Sequence, residues 1–366
     1  MIAPPLQPKA PQIHQLTGLR GIAAWLVVLF HLRLSCTNLL PGWTIGALGK
    51  GYLAVDVFFI LSGFVMWLNY GAKFRENRWS EAPRFWWKRF ARIWPLHAAI
   101  LGAMAAFALL LAGTGRDAAA YPFSELPLHL LLLQNWGLTG ALSWNHPAWS
   151  ISTEMAAYVL FPLVAIAVPW ENLRAFALAA IIALLAAALA LRFGAAGTGN
   201  LGDDIPRLGL GRCLAEFGMG IALCNLWLRW REMRAAPWNC AAIALALLGV
   251  GVWFGLPETD FLPLAFALGL LALALDTGPV ARFFASPPLR WLGDVSYSTY
   301  LAHFFLFVLF KILFVGDDLQ LDWVRLAGFL VLLLGTSAVL YYGLEKPAQR
   351  WFNARTPRFA ESPALR

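Results

Sequence analysis

The chain has 366 residues, 60% hydrophobic and 13% charged, with a formal net charge of +8. A soluble domain carries about 25% charged residues, so this composition and a mean hydropathy of +0.64 exclude a soluble domain and indicate a polytopic membrane protein. The basic excess is no nucleic-acid signature, because it falls in the short segments between apolar runs.

Met1 to Gln15 is proline-rich and lacks the basic, apolar and small-residue order of a cleaved leader. The expected organisation is a tail, 1–15, a single membrane domain, 16–345, and a basic tail, 346–366. Ten apolar segments have spanning length: 17–35, 52–70, 93–113, 148–169, 173–193, 208–228, 238–254, 259–275, 294–314 and 324–344. An eleventh piece, Leu126 to Trp136, is short and bracketed by Pro122, Pro127 and Gly137; it reads as a re-entrant or interfacial helix. The fold class expected is therefore all-α.

With the N-terminus in the cytoplasm, the inner loops hold Lys73, Arg75, Arg78, Arg84, Lys88, Arg89, Arg92, Arg174, Arg229, Arg231, Arg234, Arg282 and Arg290. The C-terminal tail adds Lys346, Arg350, Arg355, Arg358 and Arg366. The outer loops are poorer in Lys and Arg and hold Asp203, Asp204, Glu258, Asp260, Asp317, Asp318 and Asp322. This positive-inside alternation predicts ten spans with both termini cytoplasmic, in the cell's inner (plasma) membrane. A full eleventh span would put the basic 229–234 loop outside. Cys36, Cys213, Cys224 and Cys240 have no metal-ligand or paired spacing and read as buried thiols.

Ionisable residues inside apolar segments are costly and point to function. Arg20 and His31 lie eleven residues apart in the first segment. On a helix that is about three turns and roughly 16 Å, so both lie on one face, at different depths. Asp56 enters the second segment near its outer end, where it either caps the helix or serves the site. Ser150, Glu154 and Tyr158 follow at four-residue spacing in the fourth. His31, Asp56 and Glu154 are thus placed at similar depth, in the outer third. Arg212 and Glu216 are four apart and are expected to neutralise each other. His303 sits mid-span near Tyr297 and Tyr300, serving either a substrate path or an interhelical contact. His97 and His129 read as interface residues. Ser62-Gly63 reads as close helix packing, because a nucleophilic elbow would need a strand before it. The block Arg84 to Pro95 is basic and aromatic at helical spacing and is expected along the inner surface, touching lipid headgroups or a phosphorylated donor.

Six blocks, in order across nearly the whole chain, resemble the acyltransferase-3 family of bacterial membrane O-acyltransferases. They are Arg20 with His31; Gly51 to Phe64 with Asp56, Ser62 and Gly63; Arg89 to Pro95 with Arg92; Trp149 to Glu154 with Tyr158 and Pro162; Leu292 to His303 with Ser296, Tyr297 and Tyr300; and Glu345-Lys346-Pro347. The resemblance implies transfer of an acyl group, most commonly acetyl, from cytosolic acyl-CoA to a hydroxyl of an extracytoplasmic or lipid-linked glycan. The implied co-substrate is acyl-CoA, with no bound cofactor, no metal and no nucleic-acid partner. On that reading Arg20, Arg89 and Arg92 hold the donor phosphates and His31 is the general base or an acyl relay. Glu154 or Asp56 orients the imidazole. Ser62, Ser150, Tyr158, Tyr297, Tyr300 and His303 are candidates for the acceptor path. A secondary transporter or flippase with a buried proton relay would explain the ionisable residues as well, but not the ordered blocks.

Overall fold

The computed structural model describes residues 12–316 and 318–357. Asp317, Arg358, Arg366 and tail residues 1–11 lie outside the described residues. Within the described residues all regular structure is helical. Ten helices have 18 residues or more, and they fall one to one on the ten expected segments. They are α1 (His14–Leu32), α2 (Ala54–Asn77), α3 (Ala82–Gly113), α4 (Ala148–Ala167), α5 (Ala175–Ala195), α6 (Ile205–Trp230), α7 (Ala236–Trp253), α8 (Glu258–Leu275), α9 (Pro287–Phe314) and α10 (Trp323–Leu340). A helix satisfies its own backbone polar groups, which is what an apolar run needs in lipid.

Among the described residues eight helical stretches are long and apolar enough to cross a membrane, and one of them, Gly42–Gly113, holds both α2 and α3. Helix α6 is not among the eight; it carries Arg207, Arg212, Glu216 and Arg229. It packs instead along α2, and fifteen of its 26 residues are buried.

The centre is built from α1 against α9, α2 against α6, and α4 against both α2 and α6. Two close crossings set its geometry. A Cβ on Gly63 of α2 would land on the Phe217 carbonyl of α6, and a Cβ on Gly293 of α9 would land on the Thr17 carbonyl of α1. Ser62-Gly63 therefore does serve close helix packing. The outer helices turn apolar side chains away from the protein, as with Ile243, Leu245, Val252 and Trp253 of α7, which suits a lipid-facing surface.

Three local expectations change. The block Arg84 to Pro95 is no separate surface element: it forms the first turns of α3, which runs on through Pro95. Proline removes one hydrogen bond to the preceding turn, and the flanking turns keep the helix continuous. The segment after Pro122 forms a 3-10 turn, Phe123–Glu125, and is α-helical only over Leu126–Leu130. Leu132 (φ 58°) and Gly137 (φ 82°) then take left-handed backbone, and the chain folds under to bury Gln134 and Asn135. The C-terminal tail begins as α11 (Lys346–Ala354), entered through a π-turn at Tyr341–Glu345. It lies on the start of α3, where Trp87 Nε1 donates to the Phe352 carbonyl at 3.1 Å.

Candidate active site

A cavity of about 560 Å³ runs into the bundle. Its mouth lies where α1 begins and α2 nears its end, at Gln12, Leu68 and Asn69. Nine of the twelve residues singled out in the sequence line it: Arg20, Ser62, Arg89, Arg92, Ser150, Glu154, Tyr158, Tyr297 and Tyr300. The other three, His31, Asp56 and His303, do not.

The three arginines differ in what holds them. Arg92 forms an ion pair with Glu345 of the π-turn, whose other oxygen accepts from Ser298 Oγ at 2.6 Å. Glu345 is 2% exposed, so this pair anchors α3 to α9 and to the start of α11. Arg20 donates from Nε (3.1 Å) and Nη2 (2.6 Å) to the Gly293 carbonyl. Arg89 donates to Tyr70 Oη at 3.3 Å and lies near the faces of Tyr70, Phe85 and Tyr158, while its Nε has no hydrogen-bond partner. Among the described residues no carboxylate hydrogen-bonds Arg20 or Arg89. Two guanidinium groups thus face the cavity with donor capacity for an anion.

Midway along the cavity, Ser62 and Tyr158 both donate to Glu154 Oε1, at 2.5 and 2.6 Å. The deep end is closed by Tyr300 Oη, 2.8 Å from Ser150 Oγ and 3.1 Å from the Pro147 carbonyl. Tyr297 Oη donates to the Ile93 carbonyl at 2.7 Å.

Behind Tyr300 lies a layer of histidines. His303 Nε2 is 3.2 Å from His31 Nδ1. His146, in the segment before α4, stacks on Phe304 at 4.7 Å between ring centroids, and Phe304 stands edge-on to His31 at 5.6 Å. Burial lowers the His146 pKa below its usual value, so the ring is biased to its neutral form.

Two expectations are corrected here. Neither Asp56 nor Glu154 hydrogen-bonds His31. Asp56 accepts from Arg212 Nε and Nη2, each at 2.6 Å, and Glu154 is engaged by Ser62 and Tyr158. Arg212 therefore does not neutralise Glu216 through hydrogen bonds: it spends two on Asp56 and a third, 2.7 Å, on the Leu201 carbonyl. The reason is geometric. The α2–α6 crossing brings Asp56 to the guanidinium fork with both oxygens, and a bidentate pair is the stronger partner. His97 and His129 serve packing contacts: His97 Nε2 donates to the His129 carbonyl, and His129 Nε2 meets Ser143 Oγ. Sequence reading missed the roles of Glu345, Arg212 and His146. Glu345 and His146 sit inside or beside a recognised block and Arg212 in none, and the partner of each lies more than 150 residues away.

Among the described residues no three His, Cys, Asp or Glu side chains converge to hold a metal ion. The arrangement offers an anion-binding mouth, a polar wall and a histidine layer beyond it.

Comparison with known proteins fits this arrangement. The family model described as an acyltransferase domain matches residues 13–342. The chain is 27% identical to the acyltransferase MdmB of Streptomyces mycarofaciens, over 96% of this chain and 95% of that protein. It is 30% identical to the exopolysaccharide production protein ExoZ of Rhizobium meliloti, over 72% of this chain and 77% of that protein. It is also 23% identical to the peptidoglycan O-acetyltransferase OatA of Listeria monocytogenes, over 80% of this chain but only 49% of that protein. No solved structure matches. With the family model covering most of the chain, the protein belongs to the acyltransferase-3 family and is an O-acyltransferase of the membrane.

Proposed function

We propose that the protein moves an acyl group, with acetyl as the first candidate, from cytosolic acyl-CoA to a hydroxyl of an extracytoplasmic or lipid-linked glycan. In this reading it sits in the inner (plasma) membrane with both termini in the cytoplasm. The observation that carries it is the cavity mouth, where Arg20 and Arg89 have no carboxylate partner and lie at the end of the bundle that holds the basic start of α3. A CoA thioester brings phosphates, a flexible arm and a carbonyl. The guanidinium groups suit the phosphates, and about 560 Å³ admits the arm and thioester. Two relatives bear names that concern peptidoglycan and exopolysaccharide, which supports a glycan as acceptor.

His31 is the general base. The acceptor oxygen attacks the thioester carbonyl carbon while its proton passes to His31, the C–S bond breaks, and the proton moves on to the departing sulfur. With Arg92 held by Glu345, donor binding falls chiefly to Arg20 and Arg89. Ser62, Glu154 and Tyr158 line the path of the thioester, and Tyr300 with Ser150 forms its inner end.

The test uses purified protein with acetyl-CoA labelled on the acetyl group, beside a His31→Ala variant. Thiol release and transfer of label to membrane glycan extract are followed together. Release by the wild type that is lost in the variant is the expected result, and label on the wild-type chain itself would make His31 a relay. An absence of acetyl-CoA binding and turnover, with and without extract, would overturn the donor assignment.

A further inference from the structure

His31 on α1 and His303 on α9 meet nitrogen to nitrogen, with ring centroids 4.9 Å apart. The hydrogen placement on both rings follows from their other contacts. His303 Nδ1 lies 2.6 Å from the Tyr300 carbonyl oxygen, and His31 Nδ1 lies 2.9 Å from the Val27 carbonyl oxygen. A carbonyl oxygen only accepts, so each Nδ1 carries a hydrogen. A neutral imidazole has one N–H, so His303 Nε2 presents a lone pair. That lone pair faces the His31 Nδ1–H at 3.2 Å. The opposite tautomer of His31 would set its Nδ1 lone pair against the Val27 carbonyl and the His303 lone pair together.

We propose that His303 is a positioning residue: together with the Val27 carbonyl it holds His31 as the Nδ1–H tautomer, which leaves His31 Nε2 as the bare, basic nitrogen. This rests on the reading of His31 as general base. The role is the one a carboxylate plays behind a catalytic histidine, filled here by a second, uncharged imidazole. Among the described residues no carboxylate takes it: Asp56 is committed to Arg212, and Glu154 to Ser62 and Tyr158. The lever is rigid. His303 is 1% exposed, and one turn before it the Tyr300 hydroxyl is tied to Ser150 and to the Pro147 carbonyl. Phe30 and Phe304 stand edge-on to His31 from two sides. When Nε2 takes the acceptor proton, the Nδ1–H still donates to His303 Nε2 and the Val27 carbonyl, so the charged ring keeps its orientation. The same proton then leaves Nε2 for the thiolate.

The experiment takes the full-length protein with 15N-labelled histidine, as wild type, His303→Gln and His303→Phe. The His31 signals are assigned by their loss in His31→Ala. Wild-type His31 is expected to show a protonated Nδ1 and an unprotonated Nε2. His303→Gln keeps an acceptor near the Nε2 position and should retain that pattern. His303→Phe leaves only the Val27 carbonyl to hold the hydrogen, so part of the His31 population should move to the other tautomer and kcat for acetyl-CoA turnover should fall about tenfold, with KM for acetyl-CoA unchanged; His303→Gln should recover most of that kcat. A wild-type hydrogen on His31 Nε2, or unchanged signals and kcat in His303→Phe, overturns the proposal. If His303→Phe does not fold, the wild-type tautomer and the His303→Gln pattern decide. An active His31→Ala enzyme would instead refute the base assignment, and the tautomer measurement would still stand by itself.

Discussion

The cavity and the histidine layer behind it are separated by one tyrosine, yet they are built in opposite ways. The cavity is wide and charged, with two of its three guanidinium groups, Arg20 and Arg89, held by neutral partners. The histidine layer is narrow, and among the described residues no carboxylate hydrogen-bonds His31 or His303. Binding an anion needs unmatched positive charge near water. Proton abstraction needs a ring in a fixed tautomer, and neutral carbonyls and a second imidazole supply that without a buried ion pair. A fully buried ion pair, Asp56–Arg212, lies in neither region and holds α2 to α6.

That division can be broken by mutation. The largest effect is expected from His31→Ala, with kcat/KM for acyl transfer lower by about 10²- to 10⁴-fold and thermal stability close to wild type. An equal loss of stability would make His31 a packing residue. Asp56→Ala should act the other way: stranding a buried Arg212 costs about 3–5 kcal/mol, read as a fall in melting temperature. Asp56→Leu with Arg212→Met should recover much of that stability. A stable but inactive Asp56→Ala protein would return Asp56 to the catalytic group.

Within the cavity, Arg89→Ala should raise KM for acetyl-CoA about tenfold, equivalent to roughly 1.4 kcal/mol, and leave kcat nearly unchanged. Arg92→Ala should instead lower the melting temperature, because it strands Glu345. At the boundary, Tyr300→Phe removes a hydroxyl worth about 1 kcal/mol. A several-fold fall in kcat with little change in KM would mark it as part of the partition between the two regions.

The smallest effect concerns pH. Burial holds the His146 pKa below its usual value, so the unfolded chain binds that proton more readily than the folded one. The stability this contributes is present above about pH 6.5 and is lost as pH falls toward the lower folded value. His146→Gln should flatten that acid decline in melting temperature.

The ten long helices were legible in the sequence because a spanning helix is a local object. Its apolar length and the charges at its ends lie within some twenty residues. The ordered blocks likewise marked nine residues that line one cavity. Pairing was not legible. Arg212 has Glu216 one turn away on its own helix, and only the close α2–α6 crossing gives it Asp56, 156 residues distant. Arg92 finds Glu345 across 253 residues, and His31 finds His303 across 272. The sequence alone determined which ionisable groups fall inside long apolar helices and on which helix face they lie, since composition and helical period settle both. Tertiary structure alone decided which carboxylate neutralises which arginine and which nitrogen of His31 is free, because hydrogen bonds are made over about 3 Å and the sequence carries no distance between helices.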